Sequence, residues 1–187
     1  NTKVDGRLLR SERSRHLSNE ATLELPGEGV LIPTAQQVAQ RANVGIRTVF
    51  RHFDDMDSIF ETTSELVYQN IKPHFTGGDR SGPLNKRIFL AVEQLTNGYA
   101  AAKNFMLSGR IRLWDTRVIK KNYKVNQRRL QKELQDWIPE VLNLDEQASQ
   151  SAYALTSFDY WHRLTDYQNM SQQKATKLIS KQIQRLF

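Results

Sequence analysis

The sequence predicts an all-α protein. Apolar residues recur three or four positions apart along most of the chain, which is the spacing of one helix face. No segment alternates apolar and polar residues over the length of a strand. With 187 residues, 39% of them hydrophobic, the chain can bury a core without disulfides. It contains no cysteine, which excludes thiolate nucleophiles and cysteine-based zinc sites.

The chain starts with a basic segment, residues 1–15, that carries five Lys or Arg residues and two acids. We expect a mobile arm here, which leads into a first helix from about Arg10 to Leu25. Leu17 and Ala21 mark the apolar side of this helix at intervals of four, and Pro26-Gly27 ends it.

Two further helices follow, joined by a tight turn. Thr34 is a suitable N-cap for the first of them, and Asn43-Val44-Gly45 supplies residues that tolerate the left-handed backbone of a turn. The next helix, Ile46–His52, is too short to be stable alone, so neighbouring helices must hold it. The inward side of this pair is small and apolar: Val38, Ala39, Ala42, Val44, Val49 and Phe53.

A fourth helix and a linker complete the N-terminal region. Three aspartates between residues 54 and 57 precede an apolar-periodic segment that ends at Pro73, and the helix macrodipole favours acids at this end. Residues 76–83 have the Gly, Ser and Pro composition of a linker. The predicted boundaries are 1–75 for an N-terminal domain, 57–73 for a linking helix within it, and 76–187 for a second domain.

The second domain is predicted to be helical throughout. Its apolar residues keep the three- and four-residue spacing, and Pro83 and Ser171 suit the starts of its first and last helices. The predicted helices are Leu84–Met106, Ser108–Trp114, 117–138, Gln147–Tyr167 and a last one that includes Ala175 and Leu186.

The composition favours a polyanionic partner. Lys and Arg outnumber Asp and Glu by 27 to 20, which gives a net charge of +7 and a pI near 9.7. No apolar run is long enough to span a bilayer, and the basic start lacks the apolar segment of a signal peptide. We expect a cytoplasmic protein without membrane association.

The chain carries no motif of a catalytic or metal site. Its four histidines are scattered and form no HExxH pair or other recognisable ligand set. Phosphate-binding loops and nucleophile elbows are also missing from the sequence. We therefore predict that the protein is not an enzyme and uses no metal or cofactor.

Residues 34–53 carry the features of a DNA-binding helix-turn-helix. Arg can grip a guanine edge, Thr and Ile can meet a thymine methyl group, and hydroxyls can hold phosphates. The alternative is a three-helix cap whose polar side is only solvated. The outward positions of the third helix are Ile46, Arg47, Thr48, Phe50, Arg51 and His52.

The segment TAQQVAQRANVGIRTVFRHFDDMDSIFE, residues 34–61, resembles the DNA-binding segment of the TetR family of transcriptional regulators. Small, apolar, aromatic and basic residues agree with that pattern in order and without a gap. Ser157–Leu164, with Gln168–Ser171 and a final amphipathic helix, is similar to the C-terminal end of the family. The resemblance implies about nine helices, in a helix-turn-helix DNA-binding domain and a C-terminal domain for ligand binding and dimerisation.

The resemblance also implies roles for single residues. Phe50 and Met56 stand where the family often has Tyr and Lys, so other groups must bind phosphates. The N-terminal arm would lie along phosphates or enter the minor groove, or it is a solvated tail. The implied DNA contacts are Thr34, Gln36, Gly45, Ile46, Arg47, Thr48, Phe50, Arg51 and His52.

The function expected from the resemblance is a ligand-responsive repressor that binds a pseudo-palindromic operator on double-stranded DNA as a homodimer. An unknown small-molecule effector would change the separation of the two recognition helices. Candidate effector contacts are Tyr99, Phe105, Met106, Trp114, Tyr123, Tyr153, Phe158 and Trp161. Candidate contacts of a four-helix dimer interface are Leu155, Ala175, Leu178, Ile179, Ile183 and Leu186.

Two alternatives stay open from the sequence. Residues 103–132 hold ten basic residues and one acid, and they form a solvated helix face, a surface that draws the protein to DNA, or a mouth for an anionic effector. The function could instead be that of a helical interaction module that keeps the helix-turn-helix but has lost DNA binding. Phe50, Met56 and the aspartates at 54–57 support that alternative.

Overall fold

The computed structural model describes residues 6–114 and 117–187. Within these ranges the regular structure comprises nine α-helices, two short 3-10 helices, one π-helical turn and no strand, which confirms the all-α class. None of the helices in the described ranges is long and apolar enough to cross a bilayer. The helices are α1 (Gly6–Gly27), α2 (Ala35–Arg41), α3 (Ile46–His52), α4 (Met56–Ile71), α5 (Leu84–Ile111), α6 (Arg117–Trp137), α7 (Glu146–Leu155), α8 (Phe158–His162) and α9 (Gln172–Gln184).

The chain divides into two compact units. The long helices α5 and α6 each contribute residues to both. The predicted domains at 1–75 and 76–187 stay a prediction. The first unit comprises Asn1–Asn70 and Asn104–Tyr123, and the second comprises Ile71–Lys103 and Lys124–Phe187.

The start of α1 corrects the prediction of a mobile arm. α1 begins at Gly6 rather than near Arg10, so residues 6–15 are helical. This stretch is made of Leu, Arg, Ser and Glu after its first residue, and a helix propagates readily through such residues once it is nucleated. Lys3 and Asp5 of the predicted arm lie outside the described residues.

Two helix predictions in the second half are also wrong. The predicted helix Ser108–Trp114 is not separate, because α5 continues to Ile111. The predicted helix Gln147–Tyr167 is divided, since α7 ends at Leu155 and Ser157 caps α8 by accepting a hydrogen bond from the next turn. A π-helical turn, Arg163–Tyr167, follows α8. The predicted cap of the last helix is confirmed, because the Ser171 side chain accepts from Lys174 N.

Small and apolar side chains build the core of the first unit. On α1, the hydroxyls of Ser18 and Thr22 are buried and donate to carbonyls one turn back, at 2.9 and 2.8 Å. Their small size lets neighbouring helices approach α1 closely. The buried apolar residues of this core are Ala21, Leu25, Val38, Ala39, Ala42, Val49, Phe53 and Ile59.

The core of the second unit centres on Tyr99 of α5. Its hydroxyl donates to Thr156 O at 2.6 Å, and its ring centroid lies 5.6 Å from those of Phe75 and Phe158. Phe75 packs against the backbone of α5 at Gly98, where an added Cβ would lie 2.5 Å from Phe75 Cε1. This position therefore requires a residue without a side chain.

Candidate nucleic-acid interface

Thr34 starts α2 through a reciprocal capping box. Its Oγ1 accepts a hydrogen bond from Gln37 N at 3.2 Å, and Gln37 Oε1 accepts from Thr34 N at 2.9 Å. The side chain of Thr34 therefore fixes the start of the helix. Gln36, in the same turn, is exposed.

The turn between α2 and α3 takes its left-handed residue from Asn43. Asn43 has a φ of 52°, whereas Gly45 has a φ of −69° and forms the N-cap of α3. Val44 packs against the core of the first unit, and Val49 and Phe53 are buried in it. These contacts hold α3 along one side only.

The opposite side of α3 presents two rows of exposed side chains. Ile46 and Phe50, one turn apart, are 44% and 49% exposed. Arg47 and Arg51, also one turn apart, are exposed beside them. Residues four apart lie on the same helix face, so an apolar row and a cationic row run side by side. Thr48 is half-buried at the edge of this face.

His52 is an anchor of α3 rather than part of its outward face. The ring is half-buried, and Nε2 lies 2.7 Å from Ser14 Oγ. Since Ser14 donates its own proton to Ser11 O at 2.9 Å, the imidazole donates to Ser14. Burial lowers the pKa of His52, and the charges of Arg51 and Arg15 lower it further.

Ser14 and Arg15 of α1 are residues that the sequence analysis missed. The Arg15 guanidinium lies 5.6 Å from the centroid of the Phe53 ring, directly after α3. Both residues therefore fix the end of α3 from α1. A pattern of exposed cations does not distinguish such supporting residues from ligand contacts.

Intramolecular partners occupy two of the three aspartates that follow α3. Asp55 Oδ1 accepts a hydrogen bond from Ser58 N at 2.8 Å and so caps α4. Asp57 Oδ1 lies 2.6 Å from Arg112 Nη2, and the guanidinium of Arg112 stacks on the ring of Phe60 at 3.7 Å. These carboxylates are engaged within the first unit.

Met56 and Arg41 have structural contacts as well. Met56 packs against the core of the first unit. Arg41, at the end of α2, donates to Glu24 at 2.9 Å and to Glu28 at 2.8 Å. The hydrogen bonds that Arg41 donates to these carboxylates, to Glu28 before Glu24, raise its pKa.

The chain is similar in fold to a transcriptional regulator from Rhodococcus sp. Rha1. The two structures align with a TM-score of 0.66 over 94% of this chain and 95% of that chain. Their sequences are 14% identical, so the similarity concerns the fold. No family model matches the sequence, and no curated protein matches it.

The structure distributes the candidate effector contacts over both units. Tyr99, Phe158 and Trp161 share one apolar environment in the second unit, with centroids 5.6 to 5.8 Å apart. Tyr153, in the same unit, accepts a hydrogen bond from Gln135 Nε2 at 2.9 Å. The candidates in the first unit are Phe105, Met106 and Tyr123, which are half-buried, and Trp114, which is 88% exposed.

Half of the candidate dimer contacts lie inside the second unit. Ala175, Ile179 and Ile183 are at most 1% exposed, because they form the side of α9 that packs on its own chain. The half-buried candidates are Leu155, Leu178 and Leu186. The outward side of α9 carries the exposed cations Lys174, Lys177, Lys181 and Arg185.

The basic stretch at 103–132 is partly neutralised within the chain. Lys103 Nζ lies 2.5 Å from Asp166 Oδ2, and Lys132 Nζ lies 2.6 Å from Asp136 Oδ1. Asp115, the acid of this stretch, lies outside the described residues. Five exposed cations share one side of α6 by their spacing: Arg117, Lys120, Lys121, Lys124 and Arg128.

Proposed function

We propose that this protein is a sequence-specific DNA-binding regulator of transcription of the TetR type, and not an enzyme. The outward face of α3 carries the proposal. It combines two exposed arginines with two exposed apolar residues on a helix that α1 and α2 hold from behind. A helix about 10–12 Å across fits a major groove about 12 Å wide.

Two further observations support this function. The fold is similar to that of the Rhodococcus transcriptional regulator over 94% of the chain. The aspartates beside α3 oppose DNA binding less than three free carboxylates would, because Asp55 caps a helix and Asp57 pairs with Arg112. Repulsion of phosphates by these two carboxylates is correspondingly reduced.

We propose further that the protein represses transcription as a homodimer on a pseudo-palindromic operator. Two recognition helices must then reach successive major grooves about 34 Å apart. Leu155, Leu178 and Leu186 are the predicted interface residues that remain available, because the others are in the core. Binding of a small-molecule effector to the C-terminal helices would alter the spacing of the recognition helices and release the operator.

Selection of bound duplexes from a random library tests the proposal. The affinity of the selected duplex is then measured at two salt concentrations. We expect a two-fold-symmetric site, a dissociation constant of about 10 nM or below, and affinity that falls steeply as salt rises. Weak binding without sequence preference would contradict the proposal and favour the alternative of a helical interaction module.

Substitution of Arg47 by Ala tests the face itself. We expect specificity at one position of each half-site to relax by about 1–3 kcal/mol, because Arg reads a guanine edge through two hydrogen bonds. Arg41→Ala is the matched control, since its guanidinium is engaged by Glu24 and Glu28, and it should leave the base preferences unchanged. Equal weakening on all sequences would instead identify Arg47 as a phosphate contact.

A further inference from the structure

The apolar row of α3 is unusual for a surface that is proposed to meet DNA. Ile46 and Phe50 expose 44% and 49% of their surface, on a helix of seven residues. Neither side chain can donate or accept a hydrogen bond. Their side of the helix therefore cannot read the polar edges of bases.

The chemistry of the major groove leaves one base that suits such a row. Thymine presents a methyl group at C5 beside its O4 acceptor, whereas cytosine presents an amino donor, guanine presents two acceptors, and adenine presents one acceptor and one amino donor. Apolar side chains placed against a donor or acceptor leave it desolvated and unpaired, which costs free energy. Contact with a methyl group buries apolar surface on both partners.

The geometry and charge of α3 are consistent with this contact. Residues four apart are about 6 Å apart along a helix axis, which corresponds to about two base-pair steps of 3.4 Å. The residues of α3 include no acid, and Arg47 and Arg51 lie beside the apolar row. Polyanionic DNA is therefore favoured over a basic or a neutral apolar protein surface as the occupant.

We propose that Ile46 and Phe50 form a thymine-reading edge that recognises the 5-methyl groups of two thymines in each half-site. This inference rests on the proposed function and specifies what the recognition helix selects. It assigns apolar recognition to Phe50, the position at which the TetR resemblance implies a phosphate contact.

Deoxyuridine substitution tests the inference, because deoxyuridine pairs like thymidine and lacks only the methyl group. Each thymine of the selected duplex is replaced in turn, and binding is measured with the full chain. We expect a loss of affinity of about three- to tenfold at two positions in each half-site and little change elsewhere. A duplex in which such a thymine–adenine pair is replaced by 5-methylcytosine–guanine should bind more tightly than the duplex with unmethylated cytosine–guanine at the same position.

Variants assign each methyl group to a side chain. Ile46→Ala and Phe50→Ala should each make binding indifferent to the methyl group at one of the two positions, as in a double-mutant cycle. Both side chains are exposed, so their truncation leaves the core intact. Ile32→Ala, which shortens another exposed apolar residue of the first unit, is the control and should keep both sensitivities.

The outcomes separate the inference from the function on which it rests. A selected symmetric site without sensitivity to deoxyuridine overturns the inference and leaves the regulator function standing. Sensitivity that persists unchanged in Ile46→Ala and Phe50→Ala also overturns it, since other residues must then contact the methyl groups. Absence of any selected site overturns both.

Discussion

At the scale of single residues, the bond between His52 and Ser14 joins α3 to α1. His52 Nε2 and Ser14 Oγ are 2.7 Å apart, and the ring also packs edge-on to Phe53. An imidazole in this position is a positioning group. Its protonation state changes the charge at the end of α3.

Stability is expected to depend on pH through His52. Burial, with Arg51 and Arg15, lowers its pKa in the fold below the ordinary value of 6.5. At pH values near and below 6.5, the His52 side chain therefore binds more protons in the unfolded chain than in the fold. The stability that depends on the neutral ring is fully present above pH 6.5 and is lost as the pH falls below it.

Urea unfolding at about pH 7.5 and about pH 5.5 measures this contribution. The loss of unfolding free energy on acidification should be smaller in His52→Gln than in the wild type. The exposed His74 provides the control variant His74→Gln, which should retain the wild-type difference. Identical pH dependence in all three proteins would contradict the assignment.

The site residues show which roles can be predicted from sequence. The outward positions Ile46, Arg47 and Arg51 could be predicted, because they follow from helical spacing once Val49 faces inward. His52 could not be assigned, because its partner Ser14 is 38 positions away in the sequence. Such a contact depends on the packing of α1 against α3, which periodicity alone does not specify.

At the scale of helices, substitution by alanine is predicted to lower the free energy of unfolding at one glycine of α5 and to raise it at another. A Cβ at Gly98 would lie 2.5 Å from Phe75 Cε1, whereas a Cβ at Gly109 meets nothing within 4 Å. Gly98→Ala should destabilise by about 1–3 kcal/mol through overpacking. Gly109→Ala should stabilise by about 0.5–1 kcal/mol, because alanine loses less backbone entropy in a helix.

Urea unfolding of the two glycine variants beside the wild type measures both changes in unfolding free energy in one experiment. A stabilising effect of Gly98→Ala would show that Phe75 does not pack against α5 as described. Equal changes in unfolding free energy at Gly98 and Gly109 would also contradict the packing of Phe75 against Gly98.

The two sides of α9 are predicted to separate folding from association. Ile183 is fully buried, so Ile183→Ala should lower the unfolding free energy by about 2–5 kcal/mol. Leu178 is half-buried beside the exposed cations of α9, so Leu178→Glu should dissociate the proposed dimer with little loss of helical content. Analytical ultracentrifugation and circular dichroism measure the two effects, and a dimer that survives Leu178→Glu would place the interface elsewhere.

The division between α7 and α8 shows where helical periodicity fails as a predictor. Apolar residues continue at helical spacing through this segment, which is why one helix is predicted over Gln147–Tyr167. The Thr156 hydroxyl instead donates to Ala152 O at 2.8 Å, and Ser157 caps the next helix. Local hydrogen bonds by Ser and Thr compete with helix continuation without interrupting the apolar pattern.

At the scale of the whole molecule, some basic residues are paired with acids of the same chain and others are exposed. Lys103, Arg112 and Lys132 form ion pairs within the chain, whereas the cations along one side of α6 are exposed. A row of exposed lysines on a helix is most often solvated. We therefore expect this row to contribute solubility rather than contacts with the proposed operator.

The salt dependence of operator binding tests that expectation. Replacing Lys120, Lys121 and Lys124 by Gln should leave the slope of log affinity against log salt unchanged. Replacing Arg51 by Gln should reduce the slope by about one, because we expect its guanidinium to bind a phosphate. An equal reduction in the α6 variant would show that α6 also meets the DNA backbone.

The helical start of α1 limits what its basic residues can do. Arg10 and Arg13 are fixed three positions apart on a rod about 10–12 Å thick, which is too wide for a minor groove about 6 Å across. A rod cannot wrap around its ligand, but its backbone is already ordered before any encounter. Basic residues in this arrangement lose less entropy on contact than those of a flexible tail, and they tolerate fewer arrangements of phosphates. In the proposed complex with DNA, α1 would therefore contact only those phosphates whose spacing matches the fixed spacing of its arginines.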